Sequence, residues 1–156
     1  DISNQTLSGD IIVKLVTTHK SQEVVFDCGN LVVEKILGKS VKGFQKIGQK
    51  LIVNIHADLG NTHQIQIFYH GSPERGVVFS PSSNQAHTYY FTSDWMVCND
   101  QPNDRASIKM HLTVEDGLTA IGNGEITGIK ELDGQLIYSW DHPEFVQQVR
   151  HCQHML

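Results

Sequence analysis

The sequence predicts an all-β protein of antiparallel layered sheets, a β-sandwich with little helix, and three observations carry that reading. Short runs in which apolar and polar residues alternate recur along the chain. Residues that form turns stand between the runs at intervals of roughly ten residues, as hairpins require. Apolar residues at three-and-four spacing, the mark of an amphipathic helix, are nearly absent. Consecutive strands with few helices between them favour antiparallel pairing over a parallel α/β fold. At 156 residues the chain has the usual size of one domain, so 1–156 is read as a single β domain, able to bury roughly two-thirds of its unfolded surface.

Taken in order, the expected strands are 11–17, 31–37, 50–55, 64–70, 76–80, 107–114, 125–129 and 135–140. In Leu51-Ile52-Val53-Asn54-Ile55-His56, the side chains of Leu51, Val53 and Ile55 fall on one face, and Ile65, Ile67 and Tyr69 do the same in the next run. Ile108, Met110, Leu112 and Val114 alternate with polar residues as on a half-buried strand. Leu59-Gly60-Asn61, Gly71-Ser72-Pro73, Gly122-Asn123-Gly124 and Leu132-Asp133-Gly134 supply the turns, with Asp133-Gly134 the best candidate for a tight hairpin. Only 143–155 hints at a helix, on a short face of Phe145, Val146 and Val149.

Composition excludes several classes of function. Of the residues, 39% are hydrophobic and 13 are Gly, and no apolar run approaches the roughly 20 residues of a membrane-spanning helix. A net charge of -5 with 12 scattered Lys and Arg leaves no electrostatic footprint for nucleic acid. Three cysteines, Cys28, Cys98 and Cys152, match neither a disulfide scaffold nor a metal knuckle, and a reduced, cytoplasmic compartment fits them best. The start of the chain shows no secretory signal, although one already removed would leave an extracytoplasmic protein. Asn4-Gln5-Thr6 satisfies the glycosylation pattern, a match that chance produces often.

The most informative stretch is Trp95-Met96-Val97-Cys98-Asn99-Asp100-Gln101-Pro102-Asn103-Asp104-Arg105-Ala106. With Leu7-Ser8-Gly9, Phe26-Asp27 through Asn30-Leu31-Val32-Val33, Tyr69-His70-Gly71, Gly76-Val77-Val78-Phe79 and Gly122-Asn123-Gly124-Glu125, it makes a series of matches in order along most of the chain. On these residues the chain resembles the N-terminal β domain of the aminopeptidase N family of zinc metallopeptidases, the gluzincins. Trp95, Cys98, Asp100, Pro102 and Ala106 stand where that family tends to have an aromatic, a cysteine, an aspartate, a proline and a small residue. Physical chemistry gives them structural work: Asp100 to accept backbone N–H groups in an Asx-type turn, Pro102 to fix the exit direction, Trp95 to anchor the loop and Cys98 to fill space.

The family's chemistry needs a helix bearing His-Glu-x-x-His, a downstream Glu and a Gly-x-Met-Glu-Asn strand, and this sequence contains none of them. A zinc centre takes three protein ligands around an open position. The resemblance therefore implies a non-catalytic domain, not an enzyme by itself, with no cofactor of its own and zinc expected only in a catalytic domain that is absent here. That catalytic domain would be its packing partner. The resemblance also implies a glutamine shortly before the aromatic landmark, holding the amino end of a peptide substrate. Between Thr88 and Trp95 there is none, which leaves Gln85 as a substitute through a shift of register, and the family's arginine before the landmark is missing too.

The alternative is a stand-alone relative that binds a protein or peptide through Tyr89, Tyr90 and Phe91, which fit a contact surface or a core strand equally. Gln85, Tyr89, Tyr90 and Phe91 are the candidate site residues. His151, Cys152 and His154 suggest a metal only weakly, and His56, His63, His70, His87 and His111 are read as solvent-facing imidazoles on strands. Ser80, Ser82, Ser83 and the Glu115-Asp116-Gly117 turn are assigned no chemistry.

Overall fold

A computed structural model describes residues 1–18, 20–101, 103 and 105–147. The chain divides into two compact units, one of Ser3–Arg75 with Thr92–Asp100, the other of Gly76–Phe91 with the described residues from Gln101 onward.

In the first unit, β1 (Leu7–Val16), β3 (Val32–Leu37) and β6 (Thr62–Gly71) make an antiparallel sheet in the order β1-β6-β3. A second antiparallel sheet, β2-β5-β4, is built from β2 (Ser21–Asp27), β4 (Val41–Ile47) and β5 (Lys50–Ala57). The two central strands follow the alternation in their sequences. Leu51, Val53, Ile55 and Ala57 on β5 and Ile65, Ile67 and Tyr69 on β6 are all buried, and with Phe26, Cys28, Leu31 and Val97 they form one hydrophobic cluster. Removing a side chain such as that of Leu51 would cost about 2–5 kcal/mol in lost burial and cavity formation. The β5–β6 turn is fastened by Thr17, whose N–H donates to Asn61 O at 3.1 Å and whose carbonyl accepts the Gly60 N–H at 2.8 Å.

In the second unit, β7 (Val77–Ser80) and β8 (Gln85–Thr88) form a hairpin across the short 3-10 turn Pro81–Ser83. A three-stranded antiparallel sheet, β10-β11-β9, contains β9 (Arg105–Glu115), β10 (Glu125–Leu132) and β11 (Gln135–Gln147). Asp133 at φ +51° and Gly134 at φ +76° form the tight connection that their sequence predicts, flanked by the pair Leu132 and Gln135. Cross-strand register puts Met110, Trp140 and Ile126 on one face with Leu112, Tyr138 and Ile129.

Each expected strand is present, most of them extended by a few residues. The expected helix is not: up to Gln147 that segment continues β11, with Val146 opposite Ala106, while 148–156 lie outside the described residues. Pairing with β9 supplies the backbone hydrogen bonds that a weak helical pattern does not, and Pro143 falls where the register shifts between His142 and Val146, a bulge position that tolerates proline. No helix among the described residues is long and apolar enough to cross a membrane.

Candidate functional site

The landmark loop is tied into the first unit by its backbone. Asp27 and Cys98 exchange both amide hydrogen bonds, at 2.7 and 3.0 Å, so the loop pairs with the end of β2 as an isolated bridge. Asp27 does more than pair, because its Oδ2 accepts the Asp100 N–H at 3.2 Å while its other oxygen meets the Lys50 ammonium. The Asp100 carboxylate takes the hydroxyl of Ser93 at 3.1 Å, and Asp94, mostly buried, receives the Arg75 guanidinium at 2.9 Å. Pro102, expected to set the loop's exit, lies outside the described residues.

Gly29, two residues past the end of β2, explains how the loop approaches so closely. Its φ is +44°, and a Cβ there would stand 2.8 Å from Asp94 Cα, Asp94 Oδ1 and Ser93 O. Only glycine satisfies both conditions. Val97 and Cys98 are buried, which matches the space-filling role expected of Cys98. Burial pushes the Cys98 thiol far above its ordinary range, with Asp100 and Asp27 adding to the effect, and burial raises Cys28 as well. Both are therefore poor nucleophiles. Lys50 is raised by its hydrogen bond to Asp27 and by that carboxylate's charge. Trp95 is half-buried, with an indole N–H that has no partner among the described residues.

The candidate binding residues fall in the second unit. Tyr89 follows β8, and its N–H donates to Gly76 O at 2.8 Å. Its ring stands edge-on to Tyr90, 6.5 Å away at 84°, and to Phe91, 6.3 Å away at 86°. Tyr90 and Phe91 are 53% and 46% exposed, whereas Tyr89 is half-buried. The three residues therefore do not form the core strand that their sequence also allows. Phe91 has φ +49°, an uncommon and strained conformation for an aromatic residue. Gln85 is exposed at the far end of β8, opposite Ser80. It is four positions from Tyr89 along the strand, about 13 Å, so the structure gathers the three aromatics and leaves Gln85 apart.

Among the histidines, His56 and His111 are exposed, and His70 and His87 are half-buried. His70 Nδ1 meets Glu34 at 2.6 Å, and His111 Nδ1 meets Ser139 Oγ at 2.9 Å. His63 departs from the solvent-facing expectation. It is 9% exposed because, on β6, it shares the inward phase of Ile65 and Ile67, and its Nε2 has no partner among the described residues. Two features escape sequence reasoning: the inward His63 and the strained Phe91. The first was legible from the phase of β6; nothing in the sequence announces the second.

Among the described residues no three His, Cys, Asp or Glu side chains are gathered to hold a metal. Zinc has no donor set among them. His151, Cys152 and His154 lie outside the described residues.

The fold is that of the N-terminal β domain of M1 zinc metallopeptidases. No family model and no curated protein matches the sequence. Among solved structures, an M1 zinc metallopeptidase from Deinococcus radiodurans is similar at a TM-score of 0.83 and 21% identity, over 92% of this chain and 36% of that one. A mutant of the Deinococcus radiodurans M1 zinc metallopeptidase bound to a Tyr-Ser-Ala substrate gives the same values. A mutant two-domain M1 zinc metallopeptidase bound to L-tryptophan gives a TM-score of 0.79 at 21% identity, over 93% of this chain and 36% of that one. The likeness is one of fold, and this chain corresponds to little more than a third of each structure's length.

Proposed function

We propose that the chain is the non-catalytic, substrate-side domain of a zinc aminopeptidase, and that a catalytic domain covers part of its surface. One observation supports this reading above the others: a domain with this fold makes up about a third of the metallopeptidases it resembles, at a TM-score of 0.83. The second unit adds to it. The face of the β10-β11-β9 sheet that carries Met110, Leu112, Tyr138 and Trp140 also carries Ile126 and Ile129, which are 48% and 56% exposed. A sheet face of that composition is stabilised by cover. In this reading the aromatic cluster Tyr89-Tyr90-Phe91 contributes contacts to a peptide, and zinc belongs to the catalytic domain.

Extending the coding sequence beyond Leu156 tests this. A continuation bearing His-Glu-x-x-His is expected, and amide hydrogen exchange at Glu125–Leu132 should slow at least tenfold in the longer polypeptide relative to the 156-residue chain. Unchanged exchange there would contradict the cover. The exposure of Tyr90 and Phe91 also supports a second reading, a stand-alone peptide-binding module. Saturable peptide binding by the short chain, abolished by Tyr90→Ser, would favour that reading if no catalytic continuation exists.

A further inference from the structure

Beyond that role, the first unit contains a basic cleft that the aminopeptidase reading does not use. It is a half-open space of about 680 Å³ at the turn between β3 and β4. Lys39 and Ser40 come from the turn, Lys42 from β4, His56 from β5, and His63 and Gln64 from β6. Among the described residues that line it there is no carboxylate, in a chain whose net charge is -5. Every polar side chain named here can donate a hydrogen bond, and the two lysines only donate.

Three further observations bear on what the cleft holds. Gly38 lets the turn close down on β6, since a Cβ there would stand 2.8 Å from Gln64 O and 2.9 Å from Val41 Cγ2. The His56 N–H donates to Ser40 O at 3.0 Å, which fixes the turn against β5. His63, nine-tenths buried in the lining, keeps a ring nitrogen without a partner among the described residues. A buried polar group in that state wants a partner, and in the tautomer that places the proton on Nε2 an anion's oxygen supplies one. Around it, Lys14 stands across from Gln64 on the neighbouring strand, Asp10 on that strand has its Oδ2 occupied by Gln66 Nε2 at 2.7 Å, and the acid on the β5 side is Glu23, opposite Asn54.

We propose that this cleft binds a phosphate dianion, free or carried on a small organic molecule, with Lys39 and Lys42 supplying charge and Ser40 and the imidazoles of His56 and His63 supplying hydrogen bonds. The chemistry follows from the donor set. Ammonium groups bind phosphate as point charges, and charge-assisted hydrogen bonds are the strong ones. The volume exceeds what a bare phosphate fills and lies within the usual range for small-molecule sites, so an organic group can extend along Leu37.

The test is a titration of the ¹⁵N-labelled chain at low ionic strength with inorganic phosphate and, separately, with phenyl phosphate. Saturable amide shifts are expected at Lys39–Lys42, His56 and Thr62–Gln64, together with the ring-nitrogen signals of His56 and His63. Each of Lys39→Gln and Lys42→Gln should weaken binding about tenfold, the factor for one charge-assisted hydrogen bond. Both lysines are exposed, so these variants keep the fold. Tighter binding of phenyl phosphate would identify the organic ester as the ligand type, and equal binding would identify free phosphate. Shifts that grow without saturation, that spread over Lys14, Lys35 and Lys46, or that persist unweakened in the double variant would overturn the proposal.

Discussion

Replacing Gly29 by alanine puts the packing of the landmark loop under direct test. Two separate penalties arise at this position. A φ of +44° forces an L-residue into the left-handed region, at about 1–2 kcal/mol. The new methyl would also stand 2.8 Å from the backbone of Asp94 and Ser93, inside any real contact distance, and overpacking of that kind costs about 1–3 kcal/mol. Gly48 is the matched control, with φ +57° and no atom within 4 Å of its hypothetical Cβ. Gly48→Ala should therefore lose only the backbone penalty. The prediction is a total of about 2–5 kcal/mol for Gly29→Ala, exceeding Gly48→Ala by about 1–3 kcal/mol. Urea unfolding followed by fluorescence measures the difference, in a Trp140→Phe background that leaves Trp95, next to Asp94, as the only one of the two tryptophans. Equal losses in the two variants would refute the close approach of the loop to Gly29.

Stability should fall as pH rises above about 9. Cys28 and Cys98, ordinarily near 9.0, Tyr69, ordinarily near 10.0, and Lys50, ordinarily near 10.5, are all raised in the folded chain, the first three by burial and Lys50 by Asp27. The folded state thus keeps protons that the unfolded state has lost, and the slope of stability with pH is negative there; urea midpoints that match at pH 7.5 and pH 10 would contradict this. In a Cys152→Ser background, the two buried thiols should react with a disulfide reagent only at the rate of unfolding, and fast labelling of the native chain would count against their burial. Gly122→Ala should destabilise the second unit by about 1–3 kcal/mol, since its methyl would stand 2.5 Å from the Trp140 ring, and a neutral result would refute that contact. If 1–156 is one domain, Trp95 in the first unit and Trp140 in the second should report the same urea midpoint; two separated transitions would divide it.

The parts of the fold that were legible share one property: a face that must be buried. Leu51, Val53 and Ile55, like Ile65, Ile67 and Tyr69, alternate strictly because their strands lie at the centres of the two sheets of the first unit. Asp133-Gly134 was legible because the required backbone angles restrict its residue types. Strands without such constraints were missed. In β2 the run Val24-Val25-Phe26 has no alternation, β4 carries Gly43 at its middle and is exposed on most of its length, and β8 is four residues long with only Ala86 buried. The helix expected over 143–155 failed for the converse reason, a local pattern overridden through Gln147 by pairing with a distant strand.

The candidate site was less legible than the fold. The aromatic run Tyr89-Tyr90-Phe91 does cluster, because Tyr89 packs edge-on against both neighbours, but Gln85 sits at the other end of its strand, a separation that sequence proximity conceals. His63 was misplaced because imidazole on a strand is usually solvated, and here the phase of its neighbours outweighs that preference. The cleft around Lys39 and His56 has no contiguous motif at all, since three separate stretches of the chain supply it.

The measurement that bears most directly on the proposed role is release of an N-terminal residue from a peptide substrate, in the presence of zinc, by this 156-residue chain and by the polypeptide extended through its coding sequence. The account predicts turnover by the extended protein and none by the short chain. Turnover by the short chain that survives repurification and is lost on mutating a residue within it would contradict the account.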